Sequence, residues 1–157
     1  MELFSNYPLW AALVAIIFAQ VVKIPLRYIV TREFDLGLAF STGGMPSSHS
    51  AAVAALSTSV GIIEGVTSTL FAISCIFSII IMFDASGVRR QAGEQAVVLN
   101  QLAKDFQYFL EEAKQWNHKA EYEKKEELKE LLGHQPIEVF FGGVTGVIIA
   151  FLLYPLF

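Results

Sequence analysis

Long apolar runs broken by short polar segments organise the chain. Residues 8–30, 49–66, 69–88 and 139–157 each approach the ~20 residues that an α-helix needs to cross a bilayer. The first run carries Gln20, Lys23 and Arg27 near its end, and the third carries Asp84 near its end. The second is rich in Ala, Ser and Thr, which suits packing against other helices more than against lipid. The first run has no basic segment before it and no small-residue cleavage site after it, so it reads as a span and not as a signal peptide. Between the third and fourth runs, Leu99, Leu102, Phe106, Phe109, Ala113 and Trp116 recur at steps of three and four. That spacing predicts an amphipathic helix over about residues 91–116, its apolar side on the membrane surface or on a partner helix. Residues 118–130 alternate Glu and Lys, as a solvated helix laced with i,i+4 pairs does, and His118 reads as part of that surface. The pattern predicts an all-α, polytopic membrane helix bundle of about four transmembrane helices. It reads as a single domain over residues 1–157, with 89–133 a cytoplasmic helical insert within it.

Composition agrees: 54% of the 157 residues are apolar, and the mean hydropathy is +0.52. Charge placement then orients the bundle. All eleven Lys and Arg residues lie between Lys23 and Lys129, and none falls in the turn around Glu64. With four crossings, the loop before Ser48 and the segment before Glu138 share one side, and both termini share the other with Glu64. The positive-inside rule places the basic side in the cytoplasm, as for a multi-pass protein of a cell (inner) membrane. The single cysteine, Cys75, sits mid-helix and reads as packing.

Candidate chemistry gathers on the basic side. Residues 43–49 read Gly-Gly-Met-Pro-Ser-Ser-His and directly precede an apolar helix. Gly43 and Gly44 let the backbone approach a ligand closely, and Pro46 suits the first turn of a helix. Ser47, Ser48 and the helix dipole would converge on an anion, with His49 able to exchange a proton near neutral pH. An ordinary Ser-rich N-cap is the alternative. Lys23 and Arg27 lie one turn apart and Arg32 follows; the first two also fit simple snorkelling to the interface. Asp84 precedes Arg89 and Arg90, which fit either topology signals or anion ligands. A carboxylate at that depth has a partner or a role, and an ion pair with either arginine would be the structural one. Residues 133–138 read Gly-His-Gln-Pro-Ile-Glu and open the fourth helix, stacking His134 and Glu138 on one face. Two histidines, a carboxylate behind one of them and a set of cations fit phosphoryl transfer. One imidazole attacks phosphorus, the carboxylate fixes its tautomer, the cations neutralise the transition state and the second histidine shuttles the proton.

At these residues the chain resembles the type-2 phosphatidic acid phosphatase and vanadium haloperoxidase superfamily, specifically its small, divergent membrane branch. Pro46-Ser47-Ser48-His49 matches three positions of the family's Pro-Ser-Gly-His, and His134 with Glu138 matches its His followed four residues later by Asp. The resemblance implies that His134 is the nucleophile, Glu138 its orienter and His49 the acid/base. It implies that Ser47 and the backbone around it bind phosphate. By charge and position Lys23, Arg32, Gly44, Ser48, Arg89 and Arg90 are expected to bind it too, with Asp84 structural or orienting. The sequence departs from the pattern in several places. Ser48 replaces a glycine, and the first family motif, a Lys followed by Arg-Pro, is matched only by Lys23 and Arg32 at another spacing. The arginines lie some forty residues before His134, where the family has an arginine six residues before its histidine. The helix count is about four against the family's six, which leaves room for a homodimer to complete the site.

The expected activity is a metal-independent lipid phosphate phosphatase, using no cofactor, on a phosphomonoester of the phosphatidylglycerol phosphate or phosphatidic acid type. The alternative is a non-catalytic membrane protein that binds or moves anionic lipid headgroups. A phospholipid in the membrane is the expected partner, and no nucleic acid is.

Overall fold

Asn6 starts the first helix: its side-chain oxygen accepts a hydrogen bond from the Leu9 amide (3.1 Å), and Pro8 occupies a first-turn position. The computed structural model describes residues 2–32, 43–114 and 133–157. These form five α-helices: α1 (Tyr7–Thr31), α2 (Ser48–Glu64), α3 (Thr69–Ser86), α4 (Val88–Lys114) and α5 (Pro136–Leu153). Short 3₁₀ turns precede α1 and follow α5, and the described residues contain no strand. The fold is an all-α membrane bundle. Three helical stretches are long and apolar enough to cross a bilayer: Tyr7–Ile29, Thr69–Glu111, which begins with α3, and Pro136–Leu156.

The helix α2, at 17 residues, is about 25 Å long and slightly shorter than a bilayer core. It occupies the centre, packed on α1, α3 and α5. Close approach is written into small residues. Tyr7, Ala11, Ala15, Ala19 and Lys23 repeat every four residues along the buried face of α1. On α5 the matching stripe is Gly142, Gly146 and Ala150. A Cβ at Gly142 would collide with the Ser47 carbonyl, and one at Gly146 with the Ala51 carbonyl. Glycine is therefore what lets α5 lie against the start of α2. The α2–α3 contact is polar: the Ser57 and Ser78 hydroxyls reach each other and the Val53 and Ser74 carbonyls.

The helices alternate in direction. Tyr7 donates to the Ala150 carbonyl and packs on Tyr154 and Phe157, joining the start of α1 to the end of α5. An apolar groove of about 620 Å³ at that end collects Asn6, Leu56, Glu64 and Leu70 from α1, α2 and α3. The opposite end therefore carries the close of α1, the start of α2, the close of α3 and the start of α5.

Two boundaries differ from expectation. Pro46 does not sit in the first turn of α2. Ser47 takes the N-cap, its hydroxyl accepting from the Ser50 amide, so the helix begins at Ser48 and Pro46 lies just outside it. The amphipathic helix begins at Val88 and not near residue 91, because Gly87 alone separates it from α3. The solvated segment expected over residues 118–130, with His118, lies outside the described residues.

Candidate functional site

The start of α5 builds the site's centre. Gln135 is the N-cap and Glu138 the third helical residue, and they form a reciprocal capping box. Glu138 Oε2 accepts from the Gln135 amide (3.1 Å) and also lies 3.0 Å from Nδ1 of His134. A carboxylate acceptor places the proton of a neutral His134 on Nδ1 and leaves the lone pair on Nε2. His134 is only 1% exposed, and its Nε2 has no hydrogen-bond partner among the described residues.

Two backbone contacts seat this turn. The His134 amide donates to the Ala85 carbonyl at the end of α3 (2.8 Å). Gly133, at φ +88°, packs so tightly on the Arg89–Arg90 backbone that a Cβ there would strike the Arg90 amide. The arginines, some forty residues earlier in the chain, are thereby brought beside His134.

The first turn of α2 supplies the second imidazole. The rings of His49 and His134 meet edge-on, with centroids 5.9 Å apart and planes at 63°. His49 Nδ1 is also buried without a partner among the described residues. Leaving a buried polar atom unpaired costs about 1–3 kcal/mol. Two such nitrogens on adjacent rings are exceptions to the rule that buried polar atoms are paired. Helix α5 is stitched to the N-cap of α2 by the Ser47 amide, which donates to the Glu138 carbonyl (2.9 Å). Ser47 is fully buried, and its hydroxyl accepts from the Ser50 amide and hydroxyl, which leaves its own O–H able to donate. Ser48 is buried as the first residue of α2.

The cations are arranged unequally. Lys23 is 2% exposed; its stem passes over Gly44, whose Cβ would lie 3.8 Å from Lys23 Cδ, and its charge acts on both His49 and Glu138. Arg89 and Asp84 also lie within electrostatic reach of His49, and Arg89 Nε is 2.6 Å from Asp84 Oδ2. Both side chains of that pair are partly exposed, and such pairs contribute only about 0–1 kcal/mol. The pair engages Nε, one of the five N–H donors of the guanidinium. Arg90 pairs with Glu94 (3.0 Å). A cleft of about 260 Å³ is lined by Gly43, Gly44, Arg90, Glu94, His134 and Glu138. Arg32 is exposed as the left-handed C-cap of α1, and Arg27 is exposed as well. The larger apolar groove lies at the other end of the bundle, away from this chemistry.

The family is decided by extent as well as by motif: residues 4–149 match the divergent PAP2 family. The chain belongs to the divergent PAP2 family. It is also 61% identical over 153 residues to YuiD, an uncharacterized membrane protein of Bacillus subtilis (strain 168), covering 98% of this chain and 97% of the relative. No solved structure matches the chain significantly.

Sequence reasoning did not anticipate that α4 would form one wall of the cleft through Gly93, Glu94 and Val97. The available signal was Gly93 itself, a glycine inside an otherwise helical pattern, which often marks close packing.

Proposed function

We propose that this divergent PAP2 protein is a lipid phosphate phosphatase that works without a metal, through a phosphohistidine on His134. The observation that carries the reading is the pair of adjacent imidazoles with unpartnered buried nitrogens, one of them backed by Glu138. His134 Nε2 attacks phosphorus, the P–O ester bond breaks, and His49 gives its ring proton to the departing alkoxide. Water then attacks the phosphohistidine, His49 takes the water's proton, and the P–N bond breaks to release inorganic phosphate. Lys23 and Arg89 offset the charge on the phosphoryl oxygens, and Glu138 supports the cationic imidazole while the P–N bond exists. The two histidines meet within one chain, so joining them needs no homodimer. The one-sided placement of Lys and Arg supports a cytoplasmic site in a cell membrane, where phosphatidic acid or phosphatidylglycerol phosphate would be reached from the inner leaflet.

The rival reading is a non-catalytic protein that binds or moves anionic headgroups; the carboxylates beside Arg89 and Arg90 offset charge that would otherwise stabilise a phosphoryl transition state. Phosphate release from a panel of phospholipid phosphomonoesters, by purified protein in detergent with EDTA, separates the readings. Turnover supports the phosphatase; binding of inorganic phosphate with no turnover on any member supports the binder.

A further inference from the structure

The helix α4 has two distinct sides. Gly93, Ala96 and Asn100, at helical spacing, are its buried side, and Gly93 reaches the candidate cleft. Leu99, Leu102, Phe106 and Phe109 form a second stripe that is exposed by 51–64%. Helix α4 follows the membrane-crossing α3 with only Gly87 between them. The outward residues of α3, Ile76, Ile79, Ile80 and Phe83, are equally exposed, and Val88 carries that apolar surface across the junction. The stripe thus continues a surface that already faces lipid. The charges of α4 balance, with Arg89, Arg90, Lys104 and Lys114 against Glu94, Asp105, Glu111 and Glu112, so apolar area and not net charge would hold it in place.

We propose that α4 lies in the bilayer interface, its Leu99–Leu102–Phe106–Phe109 stripe bedded at the boundary of headgroups and acyl chains. The cleft that α4 walls therefore opens at the bilayer surface and takes its phosphate from a lipid, not from a water-soluble ester. This second clause rests on the phosphatase reading; the first does not.

Single cysteines at Leu102, Phe106, Gln101 and Lys104, in a Cys75→Ala background, carry an environment-sensitive fluorophore in phosphatidylcholine nanodiscs. Lipid-borne nitroxide should quench positions 102 and 106 severalfold more than 101 and 104, with iodide showing the reverse. Equal access of iodide to all four positions would overturn the interfacial placement. Shielding of 102 and 106 from both quenchers would overturn it too, because a second copy of the chain would then cover the stripe. For the substrate clause, a Leu102→Gln/Phe106→Gln variant should lose severalfold in kcat/KM on vesicle-borne phosphatidic acid and nothing on a short-chain soluble phosphomonoester. Equal loss on both would overturn that clause. If the fluorophores report burial and neither substrate turns over, the phosphatase reading falls while the interfacial helix stands.

Discussion

Replacing Glu138 separates the structural from the chemical part of its role. Its Oε2 accepts both the Gln135 amide and Nδ1 of His134. Glutamine is also an accepted third-position partner in a capping box, so Glu138→Gln should keep both contacts and cost under about 1 kcal/mol of stability. Glu138→Ala removes the cap, worth about 0.5–2 kcal/mol, and strands the buried Nδ1–H, worth about 1–3. The alanine variant should therefore lose about 1.5–5 kcal/mol. Rate should behave differently, because the amide lacks the charge that stabilises the cationic imidazole and can donate to Nδ1, which moves the ring proton onto the nucleophilic Nε2. The analogous carboxylate-to-amide change in Ser-His-Asp enzymes lowers kcat by about 10⁴-fold, and Glu138→Gln should fall by about 10³–10⁴-fold here. Thermal unfolding in detergent, run beside phosphate release with EDTA present, reads both quantities. Full activity in Glu138→Gln, or a stability loss equal to that of the alanine variant, would refute the division of roles.

Gly133→Ala meets the Arg90 amide and a left-handed φ together, so it should part His134 from the arginines and cost several kcal/mol, read by the same melt. His49→Ala should lose turnover of alkyl phosphates but still form phosphoenzyme from an aryl phosphate, whose leaving group needs no proton. Quenched-flow detection of the released phenol checks this. Burial and the neighbouring His134, Arg89 and Lys23 hold His49 below the ordinary imidazole range, so kcat/KM should fall as pH rises through that lowered value and the proton donor is lost. A profile flat across about pH 5–8 would contradict the role of His49.

The membrane bundle was legible because its cause is local: each run of apolar residues must find lipid or another helix, and the breaks between runs mark the ends. The pairing of His134 with Glu138 was legible for the same reason, since four residues make about one helical turn. Pro46 was misplaced because two residues compete to start α2, and the Ser47 hydroxyl bonded to the Ser50 amide outweighs proline's preference. The start of α4 was placed late because Gly87 permits a change of direction without a loop, so the polar segment gave no gap to read. The docking of Gly133 on Arg89–Arg90 joins residues some forty positions apart. No local pattern encodes such a contact; it depends on how the chain returns to the bundle.

The central claim is that His134 Nε2 forms a covalent bond to phosphorus, and trapping that bond tests it most directly. Purified protein mixed with labelled phosphatidic acid in EDTA, quenched without acid and digested, should yield one phosphopeptide that contains His134. Its label should be stable to base and labile to acid, retained in Glu138→Gln at a lower formation rate, and absent in His134→Ala together with all turnover. Label on another residue, or phosphate release that survives His134→Ala, would contradict the account.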